Sequence, residues 1–74
     1  MTTERPEKHS LTLQGHRTSV TLERPFWDEF CRIAKAKGHS VNALAAELDE
    51  NRTPPASLAS AIRLFVLAEV KAGG

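Results

Sequence analysis

From His16 to Glu23 the chain reads His-Arg-Thr-Ser-Val-Thr-Leu-Glu, with β-branched residues and a strict two-residue alternation. Such a pattern predicts a strand. Thr18, Val20 and Leu22 point one way; Arg17, Ser19 and Thr21 point the other. The period then lengthens. Phe26, Trp27, Phe30, Ile33 and Ala34 recur at helical spacing, with Asp28, Glu29, Arg32, Lys35 and Lys37 mostly opposite. Pro25 suits a first helical turn, and Gly38 suits a left-handed C-terminal cap. Ser40 is a good N-cap for a second helix whose apolar face is Val41, Leu44, Ala45 and Leu48. Thr53-Pro54-Pro55 breaks the pattern. A third helix is expected from near Ser57 to about Lys71, with Leu58, Ala61, Ile62 and Phe65 on one stripe. Leu64, Val66, Leu67, Ala68 and Val70 cover most of its remaining surface. A helix apolar nearly all round must be covered nearly all round, which a short monomer is poorly placed to do.

Upstream of the strand, Met1 to Ser10 is polar and carries Pro6, so it reads as a disordered arm. Leu11-Thr12-Leu13 alternates weakly before Gln14-Gly15, as a short strand or an ordered extension. The expected organisation is a flexible or partly ordered arm over 1–15, a core over 16–52 and an oligomerisation helix over 53–74. No second strand of comparable quality follows His16–Glu23. A lone strand leaves its backbone groups unsatisfied, so its natural mate is the same strand of a second copy.

Length sharpens that expectation. Seventy-four residues make one domain, and a domain of this size buries only about 60% of the surface its unfolded chain exposes. Cys31 is the only cysteine, which excludes an internal disulfide, and no Cys/His spacing resembles a zinc site. Oligomerisation is the remaining common remedy. The N-terminus has no apolar core of a secretory signal, and Leu64 to Ala68 is too short to cross a bilayer. A cytoplasmic protein is expected.

The formal charge is only +1, but it is unevenly spread. Between His16 and His39, Arg17, Arg24, Arg32, Lys35 and Lys37 outnumber Glu23, Asp28 and Glu29. The C-terminal half leans acidic, so a polyanion should meet the first half. Chemistry is sparse. His9, His16 and His39 have no i,i+4 partner or carboxylate cluster to hold a metal. There is no glycine-rich phosphate loop, no Ser/His/Asp set and no carboxylate pair for acid–base work. Nothing in the sequence supplies a base to activate Cys31. Neither an enzyme nor a cofactor is expected.

Arg17-Thr18-Ser19-Val20-Thr21-Leu22, an amphipathic helix, and then Gly38-His39-Ser40-Val41-Asn42-Ala43-Leu44 together resemble the ribbon-helix-helix superfamily of Arc, methionine and plasmid copy-number repressors. Gly15 to Ser19 and Ser60 to Leu67 extend the likeness to a bacterial subfamily of short ribbon-helix-helix proteins. The resemblance implies a mostly α fold with one β-strand, paired antiparallel between two subunits, plus an extra C-terminal helix. It implies a homodimer that enters the DNA major groove as a transcriptional regulator or repressor. By alternation Arg17, Ser19 and Thr21 become the base-reading residues. Ser40, Val41 and Asn42, flanked by His39 and Lys37, become a phosphate clamp at a helix N-terminus. Val20, Leu22, Phe26, Trp27, Phe30, Ile33, Leu44 and Leu48 are expected in the dimer core. Leu58, Ile62, Phe65, Val66 and Leu67 are expected on an oligomerisation face. The alternative is a non-catalytic interaction module, tetrameric or antitoxin-like, that has lost or reduced DNA binding.

Overall fold

A computed structural model describes residues 5–73 of the chain. Two strands precede three helices: β1 (Pro6–Leu13), β2 (His16–Glu23), α1 (Arg24–Ala36), α2 (Val41–Asn51) and α3 (Leu58–Lys71). β1 and β2 pair antiparallel as one two-stranded sheet, in a register running from Pro6 opposite Glu23 to Leu13 opposite His16. The residues joining them, Gln14 and Gly15, have φ of 53° and 84°. Positive φ at both central positions is the type I′ geometry whose twist matches that of flanking strands.

The hairpin corrects two expectations. The fold has two strands per chain rather than one, and β2 has its mate within its own chain. Of the segment 1–15, expected as a flexible or partly ordered arm, Pro6 to Leu13 form strand β1, while residues 1–4 lie outside the described part. β1 escapes a pattern reading because its inner face is only half apolar. Glu7, His9, Leu11 and Leu13 share that face with Val20 and Leu22. His9 is accommodated by stacking on Trp27, with ring centroids 4.0 Å apart and planes 6° from parallel. Glu7 is accommodated by Arg24, whose Nε donates to Oε1 at 2.9 Å.

The helices form as their caps dictate. α1 carries Pro25 in its first turn and ends on Gly38 at φ 76°. There the Gly38 amide donates to the Lys35 carbonyl at 3.1 Å and the His39 amide to Ala34 at 2.9 Å. This double closure is the Schellman arrangement, which satisfies carbonyls the helix cannot. Ser40 and Ser57 cap α2 and α3 by accepting from the amides of Ala43 and Ser60.

All three helices cover the inner face of the sheet. Their shared core is Leu11, Val20, Leu22, Phe30, Ile33, Ala34, Leu44, Ala45, Ile62 and Val66. Phe30 and Leu22 are completely buried, and Phe65 meets the Phe30 ring edge-on at 6.2 Å. Phe26, Trp27 and Leu48 pack against this cluster. The residues expected in a dimer core all lie in this single-chain cluster or, as the half-buried Phe26, Trp27 and Leu48 do, pack against it. α3 makes this closure: Ile62 and Val66 are buried, and Leu58 and Phe65 pack beside them. Of the expected oligomerisation face, only Leu67 stays exposed; the open apolar stripe is Leu64, Leu67 and Val70.

Candidate nucleic-acid interface

The outward face of the sheet is built by register alone. Opposed residues share a face, so Lys8 lies beside Thr21, Ser10 beside Ser19 and Thr12 beside Arg17. All six are exposed. Four hydroxyls and two cations therefore share a surface, and no carboxylate interrupts it. Glu23, next in the same alternation, is bent away and accepts from Arg63 of α3 at 2.9 and 3.1 Å. Arg63 lies 5.9 Å from the centre of the Phe26 ring. The two hydrogen bonds from Arg63 hold the Glu23 carboxyl below its ordinary pKa.

The predicted reading residues Arg17, Ser19 and Thr21 are thus brought together on one exposed strand face. Lys8, Ser10 and Thr12 were missed, because Met1 to Ser10 reads as arm from its composition. The one available clue is the Gln14-Gly15 pair between two alternating segments.

The sheet has two unequal edges. In a two-residue hairpin the pair flanking the turn is hydrogen-bonded, and such pairs alternate along the strands. The outward backbone groups are therefore those of Thr12, Ser10, Lys8 and Pro6 on β1, and of Arg17, Ser19 and Thr21 on β2. On β1 the Thr12 amide donates to Asn42 Oδ1 at 3.1 Å, and Pro6 has no amide hydrogen to offer. On β2, among the described residues, the amides of Arg17, Ser19 and Thr21 have no partner.

The same Asn42 contact sets the N-terminus of α2 against the β1 edge. Ser40 Oγ takes the Ala43 amide at 3.0 Å, and the Leu44 amide begins the helical ladder by donating to the Ser40 carbonyl. Among the described residues, the amides of Val41 and Asn42 remain open. Two of the expected clamp side chains are already occupied: Asn42 by Thr12, and Lys37 by Glu69, 3.5 Å away. His39 is exposed.

Other candidates are structural. Cys31 is half-buried, and burial, followed by the nearby Asp28 carboxylate, pushes its thiol up, which opposes a nucleophilic thiolate. His9 Nε2 is buried, 3.7 Å from Glu7 Oε1, and has no hydrogen-bond partner among the described residues. Among the described residues no group of His, Cys, Asp and Glu is arranged to hold a metal, and no helix is long and apolar enough to cross a membrane.

A profile of the ribbon-helix-helix domain matches residues 6–70. The chain belongs to the ribbon-helix-helix domain family. The match spans both strands and all of α3 but its last residue, so the hairpin and the third helix fall within the domain. Members of this family are generally DNA-binding transcription regulators; they typically dimerise and are typically non-enzymatic. No curated protein and no solved structure gives a match.

Proposed function

We propose that this ribbon-helix-helix protein is a homodimeric transcriptional regulator that binds DNA on the outward face of its sheet. The observation that carries the reading is the acid-free row Arg17, Ser19 and Thr21 along a strand whose outer edge is unpaired. An open edge of this kind is a template for another strand. Two copies of β2 meeting about a two-fold axis put Ser19 opposite Ser19 of the second copy and join the hairpins into a four-stranded sheet. β1 is less suited to the same role: Asn42 occupies the Thr12 amide at one end of its edge and Pro6 offers no amide hydrogen at the other, which leaves the Ser10 and Lys8 amides between them. The dimer therefore no longer depends on a strand without a mate. It depends on the second edge of a strand that already has one.

In this arrangement Arg17 reads a guanine through O6 and N7, with Ser19 and Thr21 as adaptable neighbours. The open amides of Val41 and Asn42, capped by Ser40 and flanked by His39, receive a phosphate at the positive end of α2. Selection of duplexes from random sequence, followed by titration with Arg17→Ala, tests the reading. The expected loss on the selected duplex is about 1–3 kcal/mol, with preference relaxed at the position Arg17 contacts. Failure to retain any duplex at low salt sinks it.

A second reading has its own support. Leu64, Leu67 and Val70 form an apolar stripe on α3 that the described residues leave exposed. It suits a dimer of dimers or a protein partner. If it joins dimers, Leu67→Lys halves the assembly mass in light scattering while leaving the fold intact, because Leu67 is outside the core.

A further inference from the structure

We propose that β1 is the groove-wall strand of the DNA-binding sheet and that Lys8 is a phosphate contact, a role distinct from base reading by Arg17. This rests on the dimeric DNA-binding reading above. Neighbouring strands lie about 4.8 Å apart, so a sheet ordered β1–β2–β2–β1 spans roughly 14 Å between its outer strand axes. The major groove is about 12 Å wide and admits a two-stranded ribbon. The central β2 pair fits between the groove walls. The β1 strands do not, and their outward side chains meet the phosphates that border the groove.

A second, independent observation places β1 at the same boundary. Its outer edge is fastened to the N-terminus of α2 through Thr12 and Asn42, where the amides of Val41 and Asn42 are open. β1 thus lies between the base-facing strand and the helix end suited to a phosphate. Lys8 is exposed, stands beside Thr21 in the register and has no carboxylate partner among the described residues. An ammonium on a flexible stem suits a phosphate better than a base edge. Ser10 and Thr12 add hydroxyls along the same line.

The test compares the wild-type chain with Lys8→Gln, Lys8→Arg and Arg17→Ala. Each is titrated on a selected duplex and on a shuffled one, across about 50 to 200 mM salt. Lys8→Gln should weaken both duplexes by the same factor and leave sequence preference unchanged. It should flatten the log–log salt slope by about 0.9 for each lost phosphate contact, or about 1.8 for the two copies in a dimer. Lys8→Arg should restore the slope, and Arg17→Ala should chiefly erase preference. An unchanged slope and affinity in Lys8→Gln, with Arg17→Ala still losing preference, overturns the role of β1 alone. A change of preference in Lys8→Gln does the same, because Lys8 then reads bases. A complex containing a single copy of the chain also overturns it, since the hairpin alone is then narrow enough to enter the groove. A wild-type chain that binds neither duplex removes the proposal together with the reading beneath it.

Discussion

Glu23 ends β2, precedes the first turn of α1 and joins both to α3 through Arg63. The hydrogen bonds from Arg63 lower its pKa from an ordinary value of 4.5. A carboxyl with a depressed folded-state pKa releases its proton more readily when folded. Its contribution to stability is therefore complete above the ordinary value and fades as pH falls through the lowered one. The wild-type chain should accordingly lose urea resistance on acidification below about pH 4.5, in part through Glu23, and Glu23→Gln should show a shallower decline. Equal acid profiles for the two proteins would remove this assignment. The direction of a strand side chain is legible in the sequence, and Arg17, Ser19 and Thr21 do share one exposed face. The engagement of Asn42 and Lys37 is not, since nothing local reveals that Thr12 and Glu69 occupy these side chains. His9 was also opaque: its stacking on Trp27 depends on a strand that composition disguised.

At the scale of elements, β2, α1, α2 and α3 follow the expected boundaries closely because each carries local punctuation. The α1–α2 connection shows how much a single such residue sets. Gly38 has φ 76°, and a Cβ built on it meets no atom within 4 Å. The penalty for Gly38→Ala is therefore conformational rather than steric, about 1–2 kcal/mol for a left-handed L-residue. Urea unfolding should show that loss with little change in the slope of the transition. A neutral result would mean the Schellman closure is not held in solution. β1 lacked comparable punctuation. Pro6, Glu7, Lys8 and Ser10 oppose a strand assignment by propensity, and the element forms because Leu11 has a buried place to fill beside Val20.

For the whole molecule, the decisive property is a core closed within one chain. The expectation of an intersubunit core came from the resemblance, and that of an oligomerisation face from the apolar surface of α3, more than so short a chain was expected to cover. Folding buries Ile62 and Val66 in one cluster with Phe30, Leu22 and Ile33, and the large apolar side chains left exposed on α3 are Leu64, Leu67 and Val70. The proposed dimer is consequently an edge contact between folded units. Ser19→Pro probes this directly, because the outward Ser19 amide is outside the hairpin ladder while proline is tolerated on an edge. The variant should keep the far-ultraviolet spectrum of the wild type, yet run at the 8.1 kDa of one chain in light scattering. A dimeric Ser19→Pro protein would place the interface elsewhere, and the α3 stripe would be the first alternative.

Alternation, helical spacing, capping serines and the left-handed glycine are properties of neighbouring residues. The strand β2, the three helices and the polarity of the Arg17 face were therefore determined by the sequence itself. Which strand lies beside β2, what fills the space under Phe30 and which backbone amides stay open depend on groups brought together from distant parts of the chain. Those were decided by the tertiary structure, where burying Leu11, Ile62 and Val66 outweighed the weak strand propensity of β1 and drew the covering helix from the same polypeptide.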